Sequence, residues 1–344
     1  MEKIRVAELF AGVGGFRLGL ERVSDRFETV FVNQWEPNKK KQWAYECYIS
    51  HWKNHKCICE DINNIDKINL PDFDLLVGGH PCQNFSIGAS TKYAKGLEGA
   101  KGAEICLCDD LLRQMRMIKT PEEITMMRTA AQIAQRAFNK ALPKIEPGMT
   151  EHQVIAQFTH AIMEEGAEGG GFPHWCVSGT NSNQAIGKST YKKIEKNEII
   201  QITMGAMYDG YTASFGRPIS FGNPKDATAL ELLKLGLEAN KLTHSLIKPG
   251  QDAAEIVNKV HGMVREAGYG EYIVYGPCHG TGMMECEFPF VESTSNYKLQ
   301  AGMTFAVDTF LGGPEFGMRY EDAAAVTETG EEQLSIAQKE IIIL

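Results

Sequence analysis

Two segments of the chain repeat one pattern, and this repeat limits the possible folds more than any other feature. The segment IEPGMTEHQVIAQFTHAIMEEGA begins at Ile145, and IKPGQDAAEIVNKVHGMVREAGY begins 102 residues later, at Ile247. Each has a Pro-Gly turn, a residue typical of a helix N-cap and an amphipathic helical pattern. Strand-like segments follow both copies. The repeat predicts two similar α+β halves with a cleft where their sheets meet.

A second feature is the stretch Ile273–Glu321, which contains a histidine in a glycine-rich turn and two strand-like runs. His279 lies in the turn, and each run carries one carboxylate, Asp308 and then Glu321. Because side chains alternate along strands, these three residues can lie on one sheet face and point into one cavity. The alternative is that they are ordinary polar residues near turns.

Length and composition indicate a protein of about two domains without a membrane span. The chain has 344 residues, and its longest apolar run is far below the roughly 20 residues that a membrane helix needs. The N-terminal sequence lacks a signal-peptide pattern. Nine unevenly spaced cysteines do not suggest a disulfide framework. We therefore expect reduced thiols and a cytoplasmic location.

The net charge of −9 is unevenly distributed. Residues 1–102 hold 14 basic and 13 acidic residues, whereas the remainder holds 21 basic and 31 acidic residues. Nonspecific binding to phosphates depends on clustered cations. The charge pattern therefore argues against DNA binding by the acidic body and leaves only the first hundred residues as a candidate for it.

The first hundred residues read as strands followed by ligand-binding loops. The strand predicted for Ile4–Phe10 runs into AGVGGFRLGL, where glycines allow the backbone to approach a ligand closely. A second strand, Thr29–Asn33, precedes Glu36, a carboxylate well placed to bind ribose hydroxyls. A third, Phe73–Gly78, runs into GGHPCQNFS and places Cys82 at its end, where open α/β sheets carry their chemistry.

Residues 4–101 resemble the N-terminal third of a cytosine-5 DNA methyltransferase. The segment ELFAGVGGF is similar to the S-adenosylmethionine loop of that family, and GGHPCQNFS to its nucleophile loop. The resemblance implies that Cys82 attacks carbon 6 of a flipped cytosine as a thiolate. It also implies a cofactor site for S-adenosylmethionine, with Glu36 on the ribose and Asp61 on the adenine. The loop residues implied to line that site are Phe10, Gly12 and Gly14.

The methyltransferase resemblance is incomplete. The family has a later Glu-Asn-Val segment that supplies the acid for the attacked ring, and this chain has none. The resemblance ends near Gly102. We therefore predict that the chain alone does not methylate DNA, and that a methyltransferase activity would need a partner supplying the missing strands.

Residues 103–344 resemble the pita-bread hydrolases: methionine aminopeptidase, aminopeptidase P, prolidase and creatinase. The segment MRMIKTPEEI is similar to the entry into their catalytic domain, and GPCHGTG, GMTFAVDTF and MRYEDAAAV follow in order. The predicted fold class is an α/β Rossmann-like fragment, 1–102, followed by an α+β pita-bread domain, 103–344, with an internal pseudo-twofold repeat. The resemblance also implies a homodimer and a small, peptide-like or carboxylate-bearing substrate.

The resemblance implies a degenerate metal site. The metallopeptidases of this family hold two divalent ions with two Asp, one His and two Glu. Here the Asp positions carry Thr203 and Ser214, the first Glu is Asp308, and His279 and Glu321 match. Because two ions need bridging anionic oxygens to offset their repulsion, no metal is expected in this domain.

Creatinase works on this fold without metal, with a histidine as acid and base. Its position aligns near Ile186, so that histidine is absent, and His174 and His279 are the remaining candidates. Each would need a carboxylate neighbour to tune its pKa. The candidate neighbours are Glu285, Asp308 and Glu321. Arg217 and Arg319 are candidates to hold a substrate carboxylate. The alternatives are a packed core histidine for His174 and structural salt bridges for the two arginines.

Three hypotheses remain open from the sequence. The first is a metal-free hydrolase acting on a C–N bond of a small substrate in the pita-bread domain. The second is a non-catalytic scaffold that keeps the cleft for packing or ligand sensing. The third is the methyltransferase that requires a complementing partner.

Overall fold

The computed structural model describes residues 3–37, 39–53, 56–65, 70–79, 109–335 and 340–344. The chain divides into two compact units, 1–105 and 106–344. The predicted nucleophile Cys82 lies outside the described residues. Within the described part of the chain, no helix combines the length and apolar character that a membrane span requires.

Unit 1 contains a parallel sheet of four described strands with two helices. The strand order is β3-β2-β1-β4, so the strand closest to the N-terminus lies inside the sheet. The elements are β1 Ile4–Leu9, α1 Gly15–Val23, β2 Phe27–Asn33, α2 Trp43–His51, β3 Cys57–Ile58 and β4 Leu75–Gly78. Three of the strands match the predicted ones to within two residues. The short β3 was not predicted, because a two-residue strand has no measurable alternation.

Unit 2 is built on one mixed sheet of nine described strands. The main order is β5-β6-β7-β11-β10-β8-β9, with β12 beside β11 and β13 beside β7. Its strands are β5 Trp175–Ser178, β6 Ile200–Tyr208, β7 Tyr211–Ser220, β8 His279–Gly280, β9 Glu287–Phe290, β10 Thr304–Gly312, β11 Gly317–Val326, β12 Glu331–Gln333 and β13 Ile342–Ile343. Its helices are α3 Asp109–Met117, α4 Pro121–Ala141, α5 Glu151–Glu164, α6 Ala227–Leu246 and α7 Ala253–Glu266.

The central strands of this sheet form by local rules. β6 and β7 are joined by Asp209-Gly210, and both residues have positive φ, 48° and 78°. A two-residue turn with positive φ at both positions matches the twist of a β-hairpin. β6 and β7 are buried along nearly their whole length, with α4 packed against them and α6 packed against β10 and β11. The hairpin therefore lies in the core, next to β11.

The two repeated segments fold alike locally. α5 and α7 have 14 residues each. Thr150 accepts a hydrogen bond from the third helical backbone N–H of α5, and Asp252 does the same for α7. The glycines of the Pro-Gly turns, Gly148 and Gly250, have φ of 95° and 81°. Thr120 likewise forms a capping box with Glu123 at the start of α4.

Candidate active site

One row of residues crosses the centre of the unit 2 sheet, with one residue on each of four neighbouring strands. Thr203 of β6 pairs with Gly216 of β7, which pairs with Glu321 of β11. Glu321 in turn pairs with Asp308 of β10. Side chains opposite each other in antiparallel strands lie on one face. Gly216 keeps the row open, because a Cβ there would lie 2.9 Å from that of Glu321.

His279 and Ser214 lie on the same face as this row. His279 opens β8 and pairs with Ala306, the β10 residue two positions before Asp308. Ser214 lies on β7, two positions before Gly216 of the row. Residues two apart on a strand share a face. The structure thus brings His279, Asp308 and Glu321 together, with one potential ligand atom of each lying within 4.8 Å of the others.

Arg319 occupies the space beside the two carboxylates. Its Nη1 lies 3.4 Å from Asp308 Oδ2 and 3.4 Å from Glu321 Oε2. Its Nη2 donates to the Tyr275 hydroxyl at 2.8 Å and to the carbonyl of Ala185, and the Tyr275 hydroxyl donates to Asp308. The side chain is 4% exposed. The carboxylates therefore have a buried guanidinium as their neutralising partner.

The charges of this cluster are tightly coupled. Burial and the neighbouring Asp308 raise the pKa of Glu321 above that of an ordinary glutamate, with Arg319 opposing the shift. Although burial alone would lower the pKa of Arg319, Asp308, Tyr275 and Glu321 raise it. The guanidinium therefore stays charged at any accessible pH.

Among the row residues and Ser214, four buried oxygens have no hydrogen-bond partner within the described residues. They are Thr203 Oγ1, Ser214 Oγ, Asp308 Oδ1 and Glu321 Oε1. Buried polar atoms are normally satisfied. These oxygens therefore mark a polar space that water or a ligand can fill.

A cavity of about 530 Å³ adjoins the cluster. Its polar lining includes His279, Glu285, Asp308 and Arg319, with Lys188 also on its wall. The apolar lining comes mainly from Phe172, Pro173, Trp175, Ile186, Tyr275, Phe290 and Val291. An apolar cavity with a few convergent polar groups is the usual form of a small-molecule site.

His279 is one of the titratable groups that line this cavity. Its Nε2 lies 3.5 Å from Glu285 Oε1, and its Nδ1 lies 3.1 Å from the carbonyl of Gly280. Burial alone would lower the pKa of His279, but a hydrogen bond with Cys286 and the charges of Asp308, Cys286 and Glu285 raise it to about 10. The imidazole is therefore a cation at neutral pH.

His174, the other predicted acid–base candidate, is engaged by backbone and side-chain partners. Its Nε2 lies 2.7 Å from the carbonyl of Gly205, and its Nδ1 lies 3.1 Å from Thr159 Oγ1. Burial lowers its pKa. Both ring nitrogens thus have partners in the fold.

Arg217 lies on the opposite face of the sheet from the row. It is one residue after Gly216, so strand alternation turns its side chain away from the row. There it is buried and donates to Asp322 Oδ1 at 2.7 Å and to the carbonyl of Glu321 at 3.0 Å. The structure brings Arg319 to the cavity and places Arg217 in an ion pair behind it.

The predicted cofactor residues of unit 1 lie at the carboxyl ends of its strands. Phe10, Gly12 and Gly14 follow β1 and have φ of 51°, 57° and 92°. Gly12 N donates to Gln34 Oε1 at 2.6 Å. A Cβ at Gly14 would lie 2.2 Å from the Trp52 ring. This loop therefore requires glycine for both conformation and space.

Glu36 and Asp61 follow β2 and β3 at the same edge of the sheet. Glu36 Oε2 accepts from the backbone N–H of Ala44 at 3.3 Å, and the carbonyl of Asp61 accepts from Asn64 N at 2.9 Å. In a parallel sheet, the carboxyl ends of the strands meet at one edge, where nucleotide ligands bind. Glu36 and Asp61 therefore lie at this edge of the described part of unit 1, and their contact with a cofactor stays a prediction.

Two residues at the unit 2 site were not singled out from the sequence. Tyr275 links Asp308 to Arg319, and Cys286 follows Glu285 on the cavity wall. Both belong to the glycine-rich stretch that carries His279. Their proximity to that histidine along the chain was the available signal, but loop residues have no periodicity that would place their side chains.

Comparison with known proteins identifies the family. The family model "Metallopeptidase family M24" matches residues 125–328, more than half of the chain. The chain belongs to metallopeptidase family M24. A second family model, "C-5 cytosine-specific DNA methylase", matches residues 4–116. The two matches on this M24 chain confirm the predicted fusion, and the second extends past the predicted end near Gly102.

The relatives of this M24 chain include two Xaa-Pro dipeptidases and a solved structure. The Xaa-Pro dipeptidase of Pyrococcus furiosus is 31% identical over 235 residues, which cover 68% of this chain and 67% of the relative. The Xaa-Pro dipeptidase of Pyrococcus horikoshii is 32% identical over 235 residues, with the same coverage. The prolidase structure from Pyrococcus horikoshii OT3 has a TM-score of 0.71 and 27% identity, covering 80% of this chain and 82% of that chain.

These likenesses confirm the predicted fold class, a Rossmann-like parallel sheet followed by a pita-bread domain in the M24 family. The internal pseudo-twofold relation stays a prediction.

Proposed function

We propose that the M24 unit hydrolyses a C–N bond of a small, peptide-like substrate without a paired metal centre. The observation that carries this proposal is the position of Arg319 between Asp308 and Glu321. A buried guanidinium there supplies the positive charge that these carboxylates need. The peptide-like substrate is supported by the Xaa-Pro dipeptidases among the relatives.

The donor set of the site does not fit two divalent ions. Two ions would add four positive charges beside Arg319, and the row offers only Asp308 and Glu321 to offset them. Thr203 and Ser214, at the positions that resemble the family's aspartates, contribute neutral hydroxyls on the same face. Divalent cations favour several anionic oxygens, and paired ions need shared ones. We therefore propose no catalytic step through a metal pair.

His279 is the proposed acid–base group. It lines the cavity, and its raised pKa keeps it protonated at neutral pH. It can therefore give a proton to the leaving nitrogen as the C–N bond breaks. Glu285, at 3.5 Å, orients the ring. Lys188, an exposed cation on the cavity wall, is the proposed partner of a substrate carboxylate.

The test is hydrolysis of a panel of Xaa-Pro dipeptides by protein purified without chelators, before and after dialysis against 1,10-phenanthroline. We expect turnover to survive dialysis. His279→Gln should lower kcat/KM by about 100-fold or more, the usual contribution of a positioned proton donor. His160→Gln is the matched control, because His160 is 65% exposed on α5. Turnover that disappears on dialysis and returns with added divalent ions would contradict the proposal. Thermal stabilisation by dipeptides without turnover would favour the scaffold hypothesis.

A second candidate function belongs to unit 1. We propose that it binds S-adenosylmethionine, supported by the methylase-model match and by the loop after β1. Calorimetry with S-adenosylmethionine should show binding that Gly14→Val abolishes, because any Cβ there meets Trp52. Labelled methyl groups should not reach DNA with this chain alone. Methylated DNA from the purified chain would refute this prediction.

The predicted cytoplasmic location and homodimer stay predictions. The location is supported by the six cysteines of the described residues, all of which are unpaired.

A further inference from the structure

Cys286 is an exposed thiol on the wall of the unit 2 cavity. The other five cysteines that the structure describes are buried or partly buried. One side-chain atom each of His279, Glu285 and Cys286 forms a cluster in which all three atoms lie within 4.8 Å of one another. A thiol, an imidazole and a carboxylate thus meet at the edge of a space large enough for a dipeptide.

The loop that carries Cys286 is anchored on both sides. Before it, Thr281 Oγ1 and the backbone N–H of Gly282 both donate to the carbonyl of Met284, at 3.3 and 3.0 Å. After it, Glu287 opens β9 and accepts a hydrogen bond from Lys119 Nζ at 2.7 Å. Glu287 is 8% exposed. The thiol is therefore held over the cavity by fixed neighbours.

The histidine of the cluster is anchored by the same hairpin. His279 pairs with Phe290 across β8 and β9, so both ends of the loop belong to one strand pair. The carbonyl of Gly280 holds Nδ1, which leaves Nε2 on the side of Glu285. Such second contacts fix the orientation of a catalytic imidazole.

We propose that Cys286 is the nucleophile of this cavity, with His279 as its acid–base partner and Glu285 as the residue that positions the imidazole. The inference rests on the proposed hydrolase function and deepens it, because it names the atom that attacks the substrate. The substrate class is a small amide whose carbonyl reaches the cavity wall.

The reaction balances with water as the only co-reactant. The Cys286 sulfur, as thiolate, attacks the amide carbonyl carbon and forms a C–S bond. The C–N bond breaks, and the amine leaves with the proton of the His279 imidazolium. Water then attacks the thioester and gives a proton to His279, and the C–S bond breaks to release a carboxylic acid and the thiolate. One amide and one water become one amine and one carboxylic acid.

The geometry of the cluster supports this arrangement. A thiol nucleophile needs an acid–base group within reach of its sulfur. His279 meets this condition, since one of its ring nitrogens and the sulfur of Cys286 lie within 4.8 Å of each other. The same thiol, imidazole and carboxylate are also ligands that Zn²⁺ accepts, so zinc binding is a separate outcome of the test.

The first measurement needs no substrate: the rate at which iodoacetamide alkylates each cysteine of the chelator-treated full chain, read by peptide mass spectrometry. Cys286 should react at least about tenfold faster than Cys47. Cys47 is the matched control, because its sulfur lies 4.0 Å from His51 Nδ1 on α2. His279→Gln should remove the difference. Equal rates for the two cysteines in the wild-type chain would overturn the proposal.

The second measurement uses the Xaa-Pro dipeptide panel. Cys286→Ala and Cys286→Ser should each lose at least about 100-fold in kcat/KM, whereas Cys47→Ser should keep wild-type turnover. Both Cys286 variants should fold, because the side chain is exposed. Wild-type turnover in Cys286→Ala would refute the nucleophile while leaving the hydrolase function intact. A wild-type chain that hydrolyses no dipeptide would instead refute the hydrolase function, and the alkylation rates would still decide the reactivity of Cys286.

The third measurement is zinc content per chain before chelation. We expect substoichiometric zinc that is the same in wild type and Cys286→Ala. One equivalent of zinc that is lost in Cys286→Ala would show the thiol to be a metal ligand, and would overturn its role as nucleophile.

Discussion

Replacing Arg319 with methionine should lower the local stability of the unit 2 sheet by about 3–5 kcal/mol, because removing one partner of a buried charge cluster leaves uncompensated charge. Arg319 is 4% exposed and contacts Asp308 and Glu321 at 3.4 Å. Methionine fills much of the same volume but offers no charge to these carboxylates. The loss should appear as faster hydrogen exchange in peptides of β10 and β11, which report this unit separately from unit 1.

Two further variants separate charge from packing. Arg319→Met/Glu321→Gln removes one carboxylate together with the guanidinium, and should recover part of the lost stability. Arg113→Met is the matched control: Arg113 is 58% exposed and lies 3.5 Å from Asp110, and exposed pairs contribute less than about 1 kcal/mol. A loss in Arg319→Met no larger than in this control would show that the carboxylates do not depend on Arg319 for their charge balance.

The position of the candidate site could be predicted from the sequence because it depends on alternation. His279, Asp308 and Glu321 lie on strands whose runs are long or bounded by glycine, and period-two patterning puts their side chains on one face. Which residues lie beside these three side chains could be identified only from the register of the strand pairs. The pairing of Glu321 with Gly216 brings β7 beside β11, and no local pattern specifies which strands of distant segments become neighbours.

The same register places Arg217 and Arg319 on opposite faces of the sheet, although the sequence made both candidates to hold a substrate carboxylate. Arg319 lies two residues before Glu321 and shares its face, a relation already present in the sequence. Arg217 lies one residue after Gly216, and only the pairing of Gly216 with Glu321 shows that its side chain points to the other side, toward Asp322. Local spacing was therefore sufficient to place the side chain of Arg319 and insufficient to place that of Arg217.

Capping signals were reliable for a different physical reason. Thr120, Thr150 and Asp252 each accept a hydrogen bond from the third backbone N–H of the helix that follows. This interaction spans three residues, so the sequence contains all of it. Cys286 and Tyr275 show the opposite case, because their loops depend on contacts between residues far apart in sequence. Glu287, next to Cys286, accepts a hydrogen bond from Lys119, and Tyr275 donates to Asp308.

The double variant Thr203→Asp/Ser214→Asp should gain binding of divalent ions. It places two carboxylates on the face that carries Asp308 and Glu321, beside the open position of Gly216. Four carboxylates can share two ions despite Arg319, because bridging oxygens offset the repulsion between the cations. We expect Mn²⁺ to bind at least about 100-fold more tightly than to the wild type, roughly 2.7 kcal/mol, measured by calorimetry and by metal content after dialysis.

The apo form of this variant should in turn be less stable than the wild type, because it holds additional buried charge, and added Mn²⁺ should restore its thermal midpoint by binding only the folded state. Thr125→Asp/Thr129→Asp is the matched control, since it adds the same charge on α4, where the two hydroxyls donate to backbone carbonyls of their own helix and Thr125 accepts from Arg128. It should gain no ion. Two equivalents of tightly held metal in the wild type would refute the claim that this site cannot neutralise two divalent ions. Thr203 and Ser214 would then stand at the family's aspartate positions without loss of metal binding.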